Sequence, residues 1–236
     1  MKAGETPLAI RATFALLIAI GIGASVLRLV FPTDVITRFE PVRTAVHQAV
    51  GLTEPDPLRR AEAVADLDRK FATHWLATRL HVVSGGVLLL LIPFQFSRSM
   101  RARHRSVHRW TGRVALAAAW VSGLGGLYFG VLHPFAGAFE RVTVGVVGIF
   151  FLAAVTLAFT RIRQGRVAAH REWMIRGMAA ALAIATVRLV AIPIDLFLTS
   201  RGLSPETIFA VSLWAGWGTT LAGAEWLVRR TRVPVA

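Results

Sequence analysis

The sequence alternates between apolar runs of about 20 residues and short polar gaps, and this pattern restricts the fold more than any other feature. An α-helix of that length crosses the ~30 Å hydrocarbon core of a bilayer. A segment in lipid must satisfy its own backbone hydrogen bonds, so the runs are helices rather than open sheet. Because 55% of the residues are hydrophobic, a soluble domain of this size is excluded. We predict an all-α, polytopic membrane bundle.

The pattern predicts about six transmembrane helices in one membrane domain, residues 1–236. The predicted spans are 12–31, 75–96, 110–131, 142–160, 173–198 and 208–228. The first span, within 1–31, has the alternative of a cleaved signal peptide, but it is long enough to cross and no clean small-x-small site follows it. The remaining regions are an outer loop at 32–74 with an amphipathic helix near 58–71, a five-helix core at 75–230 and a tail at 231–236.

Arginine clusters in alternate gaps predict the orientation. The net charge is +14, and its densest clusters occupy 98–109, 161–171 and the segment after 228. The positive-inside rule places these gaps and both termini in the cytoplasm, which for a bacterial protein means the inner membrane. Since the charge is confined to the gaps, we expect anionic lipid headgroups as its partner and no nucleic acid.

The residue inventory excludes several chemistries. The chain has no cysteine, which rules out disulfides, thiolate-bound iron–sulfur clusters and covalently attached c-type haem. It also lacks a Gly-rich phosphate loop, a nucleophile triad and a carboxylate pair. Among enzymes, a membrane redox protein is the class left to consider.

Two His-Arg pairs occur where helices are predicted to start. His108-Arg109 precedes the run at Trp110, and His170-Arg171 precedes the run at Trp173. Two histidines at one depth could ligate a b-type haem or hydrogen-bond a quinone, with the two arginines pairing haem propionates. Gln95, at the end of the preceding helix, belongs to the same candidate site. The alternative is that both histidines are ordinary interfacial residues among headgroups.

A second candidate site lies nearer the outer face. His81 and Arg188 each lie ~25 Å from the inner boundary at 1.5 Å per residue, and Arg79 lies slightly further out. These residues could form a second cofactor site. Alternatively, His81 bonds a carbonyl, and Arg188 snorkels outward or pairs with Asp195.

Glu225 is the acid placed clearly inside the inner half of a predicted span. A lone carboxylate there is unfavourable, so we expect an ion pair with Arg176 or Arg113. His104 and His108 have the i,i+4 spacing of metal ligands, but the surrounding arginines repel a cation. We therefore predict no metal beyond a haem iron at His108 and His170.

Several motifs in order resemble one known family. They are HVVSGGVLLLLIPFQF, HRWTGR, HREWMIR, then Arg188, then AEW at 224–226. Over about residues 76–230 they resemble a family of predicted bacterial membrane proteins, domain of unknown function 2306. The resemblance implies a helical membrane fold and supplies no activity. More loosely, a four-helix core with histidines at its faces is similar to transmembrane cytochromes b, which implies electron transfer through paired histidines.

The leading functional hypothesis is a membrane protein that binds b-type haem or quinone for electron transfer. One alternative is a small-solute transporter with Arg188, Arg176 and Glu225 along its pathway. Another is a structural or sensory subunit without chemistry. The sequence specifies neither a redox partner nor a homo-oligomer.

Overall fold

The computed structural model describes residues 8–231, and this part of the chain is helical and contains no strand. The helices are α1 (Leu8–Val30), α2 (Val35–Ala49), α3 (Pro57–Thr73), α4 (Trp75–Phe96), α5 (Arg98–Arg103), α6 (Arg105–Leu127), α7 (Gly137–Arg163), α8 (Val167–Thr199) and α9 (Pro205–Arg230). A π-helical turn, Tyr128–Leu132, extends α6. The predicted tail, apart from Thr231, and the first seven residues lie outside the described range.

Five long helices close into a ring. In order around it, α1 packs on α4, α4 on α6, α6 on α7, α7 on α8, and α8 returns to α1. Helix α9 lies outside this ring, along α8 and in lesser contact with α7. Its packing against α8 is the most extensive in the molecule.

An apolar core fills the middle of the ring, and each of the five helices contributes to it. Its most deeply buried members include Ile18, Leu88, Ile92, Ala119, Val155 and Ala185. Small residues on α6 and α8 let the backbones approach closely, as is typical of helices that pack in membranes. The two ends of the bundle are therefore separated by a layer of hydrocarbon side chains.

The bundle confirms the predicted all-α, polytopic membrane fold. Helices α1, α4, α6 with its π-turn, α7 and α8 are long and apolar enough to cross a bilayer. Helix α9 has 26 residues but falls outside that apolar group. The sixth span and the cytoplasmic location of both termini thus stay predictions.

The segment predicted as an outer loop folds into two helices, so one helix was missed. We call α2 and α3 the cap, and the end of the bundle beneath them the cap face. Helix α3 matches the predicted amphipathic helix, with Asp56 accepting a hydrogen bond from the Arg59 amide at its start. Helix α2 has no side-chain cap of its own at Asp34. Asp68 on α3 supplies it, which is a tertiary contact that local sequence does not reveal.

The opposite end of the bundle carries the arginine clusters, and we call it the arginine face. Helix α5 crosses this face between α4 and α6, and none of its residues is buried. The α7–α8 connection lies here too, where Gly165 takes a positive φ of 74° that favours glycine.

Candidate functional site

His108 and His170 occupy equivalent places at the arginine face. The predicted helix starts at Trp110 and Trp173 were too late, because α6 begins at Arg105 and α8 at Val167. Each histidine is therefore the fourth residue of its helix rather than part of the gap before it. Polar residues extend these helices past the apolar runs, since helix ends at a membrane surface tolerate charge.

The two imidazoles have different hydrogen bonds. His170 Nδ1 lies 2.8 Å from the carbonyl oxygen of Ala158 on α7. Because a carbonyl only accepts, Nδ1 carries the proton in the neutral ring and Nε2 keeps a lone pair. His108 Nδ1 is buried and has no hydrogen-bond partner within residues 8–231. A buried ring nitrogen without a partner is unusual and calls for a ligand or another explanation.

Positive charge surrounds the pair. His170 and Arg101 both lie close enough to His108 for their charges to act on it. Burial, together with the charges of Arg98 and Arg171, lowers the pKa of Arg101 on α5. His108, His170 and Arg101 thus lie at one end of the bundle, in a basic environment that suits an anionic group.

The other residues predicted for this site point elsewhere. Gln95 donates from Nε2 to the Thr111 hydroxyl at 2.7 Å, and more weakly to the His108 carbonyl, so it joins α4 to α6. Arg171 donates to the Thr231 hydroxyl at 2.8 Å, at the end of α9. Arg109 is exposed. Within residues 8–231, none of these three side chains hydrogen-bonds an imidazole nitrogen of His108 or His170.

Glu225 forms an ion pair with Arg176. Arg176 Nη2 lies 2.8 Å from the Glu225 carboxylate, and Arg229 approaches its other oxygen at 3.2 Å. Arg113, the other expected partner, lies over the Trp110 ring instead. The pair connects α8 to α9 at the arginine face.

We expect the Glu225→Gln variant to lower the midpoint of thermal unfolding in detergent, because it leaves Arg176 without its interhelical carboxylate. The coupling between the two side chains should be favourable but small, since Glu225 is partly exposed to solvent, which screens the pair. A double-mutant cycle with Arg176→Gln measures it. Additive losses would show that the pair does not stabilise the α8–α9 contact.

His81 lies at the cap-side half of the ring. Its Nδ1 is 2.7 Å from the carbonyl oxygen of Ser122 on α6, which leaves Nε2 as the acceptor of the neutral ring. Gly125 permits this approach, since a Cβ there would lie 2.7 Å from the His81 Cβ. Arg188 on α8 lies close enough for its charge to act on His81.

Arg79 and Arg188 have different environments. Arg79 lies over the Trp75 ring and lines a cavity of about 170 Å³ near the bilayer surface. Arg188 does not pair with Asp195 as one alternative held, because Asp195 bonds the cap. Instead, Nη1 of Arg188 donates to the Ile184 carbonyl at 3.1 Å, one turn closer to the middle of the membrane.

Sequence reasoning missed a buried ionic cluster that attaches the cap. Asp195 accepts two hydrogen bonds from Arg43, at 2.8 and 3.0 Å, and lies 2.7 Å from His47 Nε2. Arg43 also lies 2.8 Å from Glu54. Burial acts to lower the pKa of Arg43, but the hydrogen bonds and charges of both acids outweigh it and raise the pKa. The sequence does contain one indication of this cluster, because Asp195 is an acid within an apolar run.

A second cap attachment involves Asp68, which is almost fully buried. It accepts from Arg28 at 2.9 Å and from the Ile36 and Thr37 amides at 3.0 and 2.9 Å. Asp68 therefore caps the start of α2 while it pairs the end of α1. The Thr37 hydroxyl is a fourth donor, at 2.9 Å, so Asp68 has little capacity for another cation.

An aromatic and imidazole cluster surrounds the π-turn. The hydroxyl of Tyr128 lies 2.9 Å from His74 Nδ1, and the rings of His74 and His133 contact each other with centroids 4.1 Å apart and planes tilted by 35°. Burial and the charges of His74 and Lys70 lower the pKa of His133. His133 directly follows the π-turn, and its ring partner is His74.

Comparison with known proteins gives one match. No curated protein and no solved structure matches the chain. One family model, described as a predicted membrane protein, matches residues 78–228. This range includes α6, α7, α8 and most of α4 and α9, and therefore both candidate sites. Because the match covers more than half of the chain, the protein belongs to the DUF2306 family of predicted membrane proteins.

Proposed function

We propose that the protein binds b-type haem at the arginine face and transfers electrons in the membrane. The observation that carries the proposal is the buried Nδ1 of His108, which lacks a partner within the described residues and is close enough to His170 for their charges to interact. Imidazole nitrogens are common axial ligands of haem iron. When bound, haem would supply one-electron transfer, and the protein would supply binding and tuning.

The hydrogen bonding of His170 supports a ligand role. Metal-bound histidines usually donate their other ring N–H to a carbonyl or carboxylate, which orients the ring. The His170–Ala158 bond has this form and leaves Nε2 with its lone pair. Arg101 and Arg109 would pair the propionates, since guanidinium groups bind carboxylates through two parallel hydrogen bonds.

Access to the histidines is consistent with ligand entry. Helix α5 covers this end between α4 and α6, has six residues and buries none of them. It can therefore move without losing much apolar burial. A polar path for a solute through the ring is absent from the described residues, because core side chains of all five helices fill its middle. That packing favours electron transfer over the transporter alternative.

The remaining arginines suit contact with the membrane surface. We propose that the arginine face lies against the anionic cytoplasmic leaflet of a bacterial inner membrane, as the positive-inside rule implies. The clusters on α5 and at the ends of α7 and α9 supply this charge.

An absorption spectrum of the full-length protein, purified from cells supplied with a haem precursor, tests the proposal. We expect a Soret band that shifts on reduction, and its loss or conversion to a high-spin form in both His108→Ala and His170→Ala. His104→Ala is the matched control, since His104 is an exposed residue at the start of α6 and should leave the band unchanged. If the purified protein is colourless but carries extractable quinone, the ligand of this site is quinone rather than haem. A colourless protein without quinone would contradict the proposal.

A further inference from the structure

Arg188 is a cation of the membrane interior that turns away from the nearest surface. It lies on α8 eleven residues before Thr199, the last residue of the helix at the cap face. An arginine that snorkels would extend toward that face. Instead its Nη1 bonds the Ile184 carbonyl, four residues back along the chain. The guanidinium is thereby held toward the bilayer centre, where an isolated positive charge is unfavourable.

No carboxylate compensates this charge among residues 8–231. The charged neighbour that acts on Arg188 is Arg28, which is also positive. The acid nearest to Arg28 is Asp68, and it is already engaged by Arg28 and by the start of α2. Asp195 lies two turns along the same face of α8, but Arg43 and His47 occupy its oxygens. Both of these acids are therefore committed to other partners.

The surroundings of Arg188 indicate what could bind it. Its side chain is exposed on the surface of α8. The exposed neighbours on α8 are apolar, namely Ile184, Leu189 and Ile192. His81 is close by, with Nδ1 bonded to Ser122 and Nε2 free to accept a hydrogen bond. A ligand here meets one guanidinium, one imidazole and hydrocarbon.

We propose that Arg188 binds the carboxylate of a membrane-soluble organic acid. A single guanidinium fork matches a singly charged carboxylate through two parallel hydrogen bonds. The apolar neighbours match a hydrocarbon chain, which favours an amphiphile over a small soluble acid. His81 Nε2 can accept a hydrogen bond from a hydroxyl group of the ligand. This site is separate from the proposed haem site, which lies at the opposite end of the apolar core.

Thermal unfolding of the full-length protein in nonionic detergent, titrated with decanoate, tests the site. We expect decanoate to raise the unfolding midpoint of the wild type in a saturable manner. The concentration for half of the effect should rise at least tenfold in Arg188→Gln. Arg201→Gln is the matched control, because Arg201 lies at the cap face over the Phe197 ring and should respond as the wild type does. Arg188→Lys keeps the charge without the fork and should show intermediate affinity, even if the glutamine variant folds poorly.

Further probes separate the chemistries. Decanol, which has the chain without the charge, should produce no saturable shift, and an effect equal to that of decanoate would overturn the proposal. Acetate has the carboxylate without the hydrocarbon chain. If it shifts the unfolding midpoint at the same concentrations as decanoate, the ligand of Arg188 is a small soluble acid rather than an amphiphile. An unchanged decanoate response in both Arg188 variants would also overturn the proposal. His108→Ala should keep the response, so the haem proposal can fail without affecting this one.

Discussion

The Asp195→Asn variant is expected to destabilise the attachment of the cap by about 3 kcal/mol, the lower end for breaking a buried ion pair. The substitution preserves shape and removes the charge that receives Arg43 and His47. Glu54 still pairs Arg43, which limits the loss. Because the Asp195 cluster joins α2 to α8, its loss should let the cap open before the ring unfolds.

Limited proteolysis in detergent measures this opening. The segment 50–56 connects the two cap helices, and cleavage there should accelerate by roughly 100-fold if the opening free energy falls by about 3 kcal/mol. Asp34→Asn is the matched control, since its pair with Arg38 is about half exposed and should contribute ~0–1 kcal/mol. Equal cleavage of the two variants would show that Asp195 does not hold the cap.

The Gly216→Ala variant should separate α9 from α8. A Cβ at Gly216 would lie 2.4 Å from Val187 Cγ2 and 2.7 Å from the Val187 Cα and amide nitrogen. Because two of these atoms are backbone, a rotamer change cannot relieve the clash, and the helices must move apart. Overpacking of this kind costs about 1–3 kcal/mol or more. The thermal unfolding midpoint in detergent should fall, and cross-linking between α8 and α9 should weaken.

The chain offers a close control for this substitution. Gly218 lies on the same helix, and a Cβ there would meet nothing within 4 Å. Gly218→Ala should leave the unfolding midpoint unchanged or slightly higher, because alanine favours a helix over glycine by about 1 kcal/mol. If both variants unfold alike, helix propensity rather than contact with Val187 determines the stability of α9.

The long helices of the ring could be predicted because lipid imposes their length and composition. The first residues of these helices could not be predicted, since polar and charged residues extend the start of α6 to Arg105 and the start of α8 to Val167. Helix α2 was hidden for a different reason. It contains Pro41 and lacks its own cap, so it depends on Asp68, which is more than thirty residues away in sequence.

The candidate sites, too, include some residues that the sequence could predict and others that it could not. The His-Arg motifs pointed to His108 and His170 because each motif marks the same position in a helix. The cost of a membrane carboxylate pointed to an arginine beside Glu225, and Arg176 lies there. The Arg43–Asp195 cluster joins residues 152 positions apart, and charges in a polar segment such as 32–74 are normally solvated. Nothing local distinguishes Arg43 from the exposed arginines around it.

The π-helical turn at Tyr128–Leu132 divides α6 into two parts with separate constraints. Its hydrogen bonds span five residues instead of four, so it is equivalent to the insertion of one residue into an α-helix. Before the turn, α6 keeps its register with α4 through Ser122 and His81. After it, the chain is rotated about the helix axis, and His133 reaches His74. The gain or loss of a single codon at this turn therefore remodels the His74–His133 pair and leaves the register of α6 with α4 intact.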